Sequence, residues 1–281
     1  MSMELNNKLE KEVSDWYKWR SGKELHLHPP VTFNEKIQWL KIYDSTPLKG
    51  KCADKYEVRE YVNNILGEDL FIPLLGVVDK FDDINFDKLP NKFVLKATHG
   101  SGWNIIVTDK SKFNKAEAKK KFDKWLSTDY GNISKEYHYS YIKPRIVIEE
   151  YIEELGNSSL TDYRFFCYNG KVREIWVDTN SGTSNHTRSI FDENFNKKNV
   201  QSTWGDGGLV LHKPVNFDKM LKISETLAKP FVFVRVDLYE INNKVYIGEL
   251  TFTPTAGLGT YRPESWGVEC GNMLDLTSLM R

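Results

Sequence analysis

Cysteine is scarce in this 281-residue chain: Cys52, Cys167 and Cys270 are its only three. An odd number at wide spacing excludes a disulfide framework and offers no zinc-ligand pattern, so buried free thiols are expected. An excess of one charge is also lacking, since Lys+Arg and Asp+Glu are both 39 and the formal net charge is zero. That excludes a broad nucleic-acid surface, which needs basic residues to displace counterions from phosphate. The run Lys119-Lys120-Lys121 lies in a lysine-rich helical pattern and reads as a solvated face. No apolar run approaches the ~18 residues of a membrane span, and MSMELNNKLEKE at the amino terminus has no apolar leader core; a cytoplasmic protein with no membrane span is expected. The close pair His26 and His28 precedes Pro29-Pro30 with no third ligand nearby, which argues against a metal there. Internal repeats and low-complexity tracts are absent.

What is there is ordinary for a globular protein, 40% hydrophobic and 28% charged, with enough chain for one large domain or two modest ones. Residues 4–20 and 32–43 read as tryptophan-rich amphipathic helices, the second opened by a Thr32/Glu35 capping box. A third helix is expected after Asp54 through KYEVREYVNNIL. Beyond Pro73, FVLKA (93–97) and NIIVTD (104–109) are strand-like around a THGSGW loop, and a helix is expected over 114–126. RIVIEEYI follows Lys143-Pro144 as a buried strand that runs into acidic residues. DYRFFCY and KVREIWVD flank Asn169-Gly170, a hairpin signal because both residues tolerate positive φ. The Ser-, Thr-, Asn- and Gly-rich stretch 180–215 is long for a connection and suggests a functional loop. A helix at 216–229 leads to the closing strands FVFVRVDLYEI and KVYIGELTF.

Those closing strands carry the chemistry. By alternation Arg235 and Asp237 share one face, and two ionised groups in a buried strand are costly unless they pair or hold a cation. Whether Glu249 joins them depends on the turn. A two-residue loop at Asn242-Asn243 pairs Val236 with Glu249 and puts Glu249 and Asp237 on opposite faces. A three-residue loop Ile241-Asn242-Asn243 puts Arg235 opposite Glu249 with Asp237 diagonal to it. The functional reading requires the three-residue loop; the plain alternative is a structural Arg–Asp or Arg–Glu ion pair.

Two further stretches are weaker alone. In KATHGSGW, Lys96 near a strand end and Gly100-Ser101-Gly102 can offer an ammonium and backbone N–H groups to phosphate, although a plain hairpin has the same residues. It is not a Walker A loop, since no Gly-Lys-Ser/Thr follows. IVIEEYI can present backbone groups of Glu150, Tyr151 and Ile152 to a planar base, or be a core strand emerging into solvent.

In this order and spacing, the three stretches resemble the ATP-grasp superfamily. The resemblance implies an α+β fold in which two lobes clasp nucleotide, here with a short helical amino-terminal segment (1–50), a first lobe (51–144) and a second lobe with the metal site (145–281). Lys96 matches the strand lysine that contacts phosphates, and His99-Gly100-Ser101-Gly102 the small-residue loop above them. Glu150-Tyr151-Ile152 matches the adenine-reading hinge, Asp162 the ribose-binding acid, and Asp54-Lys55 the pair whose lysine adds a second phosphate contact. RVD with GELTFTPTAG is similar to R-x-D … E-x-N-x-x-P-G, which implies Asp237, Glu249 and Thr251 as magnesium ligands and Arg235 as the residue that steadies the transferring phosphoryl group. ATP and Mg²⁺ are the implied cofactors.

TFNEKIQWLK, DKYEVREYV, LPNKFVLKATHGSG, DYRFFCYNGKV and GELTFTPTAG together look like the TupA-like branch, whose namesake is linked to teichuronopeptide biosynthesis and whose members are often labelled glycosyltransferases. No nucleotide-sugar signature supports that label. Two departures stand out: Thr251 replaces the usual asparagine, and about fifty helical residues replace the preceding α/β domain. The implied function is ATP-dependent carboxylate–amine ligation through an acylphosphate. The acceptor would be a uronic acid of a bacterial surface polysaccharide or its precursor, with an amine donor and association with polysaccharide-synthesis enzymes. Within the 180–215 loop, His186 and Arg188 are candidates to grip the anionic acceptor. A small-molecule or sugar kinase, or a non-catalytic carbohydrate-binding protein, are the alternatives.

Overall fold

The computed structural model describes residues 3–153 and 160–280. Helix α1 (Met3–Ser21) is followed by α2 (Phe33–Tyr43). The start of α2 is the expected capping box, with the Thr32 side chain accepting from the Glu35 N–H. The Glu35 carboxylate in turn accepts from the N–H groups of Val31 and Thr32 at 2.9 and 2.8 Å. By contacts the chain divides into Thr46–Glu153 and a second unit of Met1–Ser45 with Glu154–Arg281.

The unit 46–153 holds α3 (Pro47–Ala53), α4 (Val58–Leu66), β1 (Leu74–Val78), β2 (Phe93–Ala97), β3 (Asn104–Val107), α5 (Lys115–Leu126), α6 (Tyr130–Ser134) and β4 (Ile146–Glu150). The helix expected after Asp54 is α4, with α3 ahead of it, and in the turn between them the Asp54 carboxylate accepts from the N–H groups of Tyr56 and Glu57 at 2.7 and 3.2 Å. The strands form an antiparallel sheet in the order β1-β4-β2-β3. Phe93, Leu95 and Ala97 alternate inward and pack with Ile146 and Ile148 against Ala118 and Phe122 of α5. Because β4 pairs with both β1 and β2, residues 146–150 belong with this unit. The boundary expected at 144/145 therefore falls at 153/154.

The second unit adds β5 (Asp162–Tyr168), β6 (Lys171–Thr179), β7 (Thr187–Phe191), α7 (Phe217–Ala228), β8 (Phe233–Ile241), β9 (Lys244–Thr251) and α8 (Trp266–Met273) to α1 and α2. Its antiparallel sheet runs β7-β6-β5-β8-β9. Asn169 and Gly170 close the β5–β6 hairpin with φ of 48° and 78°, as expected. Strand β7 lies inside the stretch read as one long loop, so 180–215 is two shorter connections around a strand.

The two sheet faces differ. One is apolar, with Phe165 against Phe217 at the start of α7 and Met220, Ile223 and Leu227 of that helix buried. On the other, Phe33 of α2 packs on Phe166, Tyr168 and Phe233, with ring centroids 6.4, 5.8 and 5.1 Å apart. Beside them Glu174 is fully buried. Its carboxyl accepts from Trp176 Nε1 (2.6 Å), Trp266 Nε1 (3.1 Å), the Tyr168 hydroxyl (3.3 Å) and the Cys270 thiol (3.4 Å). Past this aromatic cover the same face turns charged. All three cysteines are buried free thiols.

Candidate active site

Register decides where Glu249 points. Asn242 and Asn243 have φ of 51° and 60° and form a two-residue turn, with Ile241 paired to Lys244. Of the two turns open from the sequence, the two-residue one is adopted, and not the three-residue loop that the functional reading required. An uninterrupted ladder from this turn would put Glu249 across from Val236, on the wrong face. Gly248 prevents that: Leu238 pairs with Ile247 but Asp237 pairs with Glu249, so Gly248 is the extra residue of a β-bulge. A Cβ at this position would lie 2.9 Å from Cε2 of Tyr239, which is why glycine stands there.

The bulge brings together four of the residues read from the motif. Arg235 donates from Nε and Nη2 to the two oxygens of Asp237, both at 2.6 Å. Nη2 also reaches Glu249 Oε1 at 3.0 Å and Thr251 Oγ1 at 3.1 Å, and the Thr251 hydroxyl donates to Glu249 Oε1 at 3.0 Å. Thr251 thus links the arginine to the glutamate.

Neighbouring strands extend the network with residues the motif does not contain. Arg164, paired with Asp237 across β5 and β8, lies 3.1 Å from both Asp162 and Asp178, with its Nε 3.9 Å from Asp237. Asp162 also accepts from Ser181 at 3.2 Å. Arg188 is buried and forms a two-pronged pair with Asp178 at 2.6 and 2.5 Å, its guanidinium 4.3 Å from the Trp176 ring centroid and 4.7 Å from that of Trp204. His186 stacks on Trp204 at 4.1 Å. Its Nε2 is 3.3 Å from Asp178, within ion-pair range but without hydrogen-bond geometry. The structure thus places Arg188 inward on Asp178 rather than out toward an acceptor.

The two buried aspartates differ electrostatically. Burial pushes the Asp237 carboxyl up to about 6, against the pull of Arg235 and Arg164, and Glu249 adds to the rise. Burial acts on Asp178 in the same sense, but its bonds to Arg188 and the charges of Arg164 and Arg188 hold it below the usual carboxylate range. Two carboxylates on directly paired positions, with the Thr251 hydroxyl on Glu249, are hard oxygen donors, which suits Mg²⁺. Among the described residues no group of three or more His, Cys, Asp and Glu could hold a metal. The remaining coordination would come from water or phosphate oxygens, as Mg²⁺ commonly has it.

In the unit 46–153, Lys96 Nζ lies 2.5 Å from Glu149 Oε2, and Arg59 donates to Glu149 Oε1 at 2.9 Å. Lys96 pairs with Val147 and Val94 with Glu149, so the lysine and glutamate are diagonal neighbours across β2 and β4. The loop after Lys96 is tight, because a Cβ on Gly100 would lie 2.5 Å from the Trp103 ring and Gly102 has φ of 72°. Lys55 Nζ donates to the Gly100 carbonyl at 2.6 Å, joining two predicted phosphate contacts, while Ser101 is exposed. At the end of β4, the Glu150 N–H donates to Pro73 O at 3.0 Å. Tyr151 and Ile152 are half-buried, and the Lys92 ammonium lies 5.5 Å from the Tyr151 ring centroid.

A lysine strand with a glycine loop, and an arginine–aspartate strand paired to a glutamate strand, are marks of the ATP-grasp class, which works with ATP and Mg²⁺. Within that class the chain belongs to the TupA-like ATP-grasp family, whose sequence pattern matches residues 35–275. Similar solved structures include a D-alanine–D-alanine ligase from Bacillus anthracis, 22% identical, with 82% of this chain and 68% of that one covered and a TM-score of 0.47. The ATP-grasp ligase PsnB with its minimal precursor is 9% identical, covering 88% and 68%, TM-score 0.45. The D-cycloserine synthetase DcsG is 13% identical, covering 81% and 71%, TM-score 0.41. No curated protein sequence matches the chain.

Proposed function

We propose that this chain is an ATP- and Mg²⁺-dependent carboxylate–amine ligase that forms an amide through an acylphosphate. On this reading the acceptor is a uronic acid of a bacterial surface polysaccharide or its precursor, and the amine is an amino acid or small amino alcohol. The observation that carries the reading is the pairing of Asp237 with Glu249 under Arg235. A free carboxylate is a poor electrophile, and its phosphorylation supplies the leaving group that an amine can displace. Mg²⁺ held by Asp237 and Glu249 would neutralise charge on the ATP phosphates.

The chain's own groups have distinct tasks in this scheme. Arg235 is anchored through Nε and Nη2, which leaves Nη1 outside the network to meet charge on the transferring phosphoryl group. Thr251 orients Glu249 through its hydroxyl. Glu149 and Arg59 fix the Lys96 ammonium, which with Lys55 and the N–H groups of residues 100–102 would face phosphate. The backbone of Glu150–Ile152 would read adenine and Asp162 the ribose. No helix among the described residues is long and apolar enough to cross a membrane. A cytoplasmic site beside polysaccharide-synthesis enzymes, where ATP is available, fits this chemistry.

The test is ADP release by purified protein with ATP and Mg²⁺ and a panel of uronic acids crossed with amines. Release that depends on both substrates, and falls by two or more orders of magnitude in Glu249→Gln, is expected. Release indifferent to amine identifies a kinase instead, and turnover untouched by Glu249→Gln removes the metal assignment.

A further inference from the structure

The second unit also contains a cavity of about 890 Å³, within the range of roughly 300–1,000 Å³ typical of small-molecule sites. One wall is the end of α1 and the chain leading into α2; the other is residues 258–267, which continue the strand that carries Glu249 and Thr251. That second wall is held by α2. Asn34, Gln38 and Lys41, one face of the helix at i, i+4 and i+7, donate to backbone carbonyls of the segment. Asn34 reaches Gly259 at 2.8 Å, Gln38 reaches Ala256 and Gly257 at 3.0 Å each, and Lys41 reaches Ala256 at 2.7 Å. A Cβ on Gly257 would lie 2.5 Å from Gln38 Nε2, so the segment is packed directly on the helix. The helical amino-terminal residues therefore build one wall of the cavity and fix the other.

The charges on the lining are unbalanced in a particular way. Each carboxylate is engaged: Glu35 by the capping box, Glu24 by Lys18 at 2.5 Å, and Glu264 by Lys23. Arg20, Arg262 and His26 make no ion pair among the described residues, and all three are exposed. The Arg20 guanidinium lies only over the Trp16 and Trp19 rings, at 5.6 and 5.7 Å. Tyr261 offers an aromatic wall, and its ring centroid is 6.3 Å from that of Trp176, the strand partner of Arg164. Asn34 Oδ1, also on the lining, is buried without a hydrogen-bond partner.

We propose that this cavity binds an acidic oligosaccharide, with Arg20 and Arg262 meeting its carboxylates and Tyr261 lying against a sugar ring. The identity of that saccharide as the acceptor rests on the ligase reading; its binding does not. The probe is tri-galacturonate, with maltotriose as its neutral counterpart, titrated calorimetrically into the full chain without ATP or Mg²⁺. Tri-galacturonate should bind at least about tenfold more tightly than maltotriose, and Arg20→Ala and Arg262→Ala should each weaken it on the order of tenfold. Arg262→Lys should recover part of the loss, and melting curves of these exposed-site variants check the fold. Equal affinity for the two sugars, no binding of tri-galacturonate, or alanine variants that bind it like the parent chain overturns the proposal. A protein that binds tri-galacturonate but releases no ADP in an amine-dependent way upholds the cavity and removes the ligase reading; the opposite pair of results does the reverse.

Discussion

Gly248→Ala tests whether the bulge is what assembles the Asp237–Glu249 pair. The added Cβ would lie 2.9 Å from Tyr239 Cε2 and 3.2 Å from both Cζ and Oη, well inside the roughly 3.5–4.0 Å of a relaxed carbon contact. Either the Tyr239 ring gives way or β9 moves, and with it Glu249. Overpacking of this kind costs about 1–3 kcal/mol, and each kcal/mol lowers Tm by roughly 2–4 °C in a chain of this size class. A displacement near 1 Å at Glu249 would cost on the order of a hundredfold in turnover. The assays are thermal melting and Mg²⁺–ATP turnover of the single variant, of Tyr239→Ala and of the double variant. Removing the ring removes the clash, so the double variant should lose less stability than the two single changes added together, with a coupling of roughly 0.5–3 kcal/mol. Gly248→Ala with unchanged Tm and unchanged turnover would refute the argument that Tyr239 dictates a glycine at the bulge.

Thr251→Val removes the hydroxyl between Arg235 and Glu249 and should lower turnover about tenfold, the effect of about one hydrogen bond to a charged group, with a raised Mg²⁺ requirement that Thr251→Ser largely restores. An unchanged Mg²⁺ titration in Thr251→Val would deny the hydroxyl that orienting task. Burial raises the pKa of Glu174 above its ordinary 4.5, so the folded state holds its proton more tightly than the unfolded one and stability falls as pH rises past that value. Glu174→Gln carries no such proton, so its Tm relative to the parent chain should improve from pH 4.5 to pH 8; an offset independent of pH would contradict this.

The sequence placed Arg235, Asp237 and Glu249 on one hairpin but left its turn open, for a physical reason. A three-residue turn and a bulge each put one odd residue into the β8–β9 ladder, and either returns Asp237 and Glu249 to one face. They differ in who stands opposite whom: Arg235 faces Glu249 in the first, Asp237 faces Glu249 in the second. Nothing in Asn242-Asn243 separates the two, because the bulge is set by contact of position 248 with Tyr239 on the facing strand. The same limit explains Arg164, Asp178 and Arg188. Charged residues alternating along a strand read as a solvated face until the neighbouring strand is known, and here the pairings Asp162–Asp178 and Arg164–Asp237 come from three separate strands. Strand β7 was hidden for a related reason: TRSIF looks polar until Arg188 is seen buried on Asp178 beneath Trp204. Local signals, by contrast, carried through unchanged. Thr32 and Glu35 cap α2, and Asn169-Gly170 turns β5 into β6, because each satisfies its own backbone within a few residues. The carboxylates proposed to hold Mg²⁺ could be read because one hairpin holds both. Arg164 and Arg188 could not, because they acquire partners only when distant strands meet.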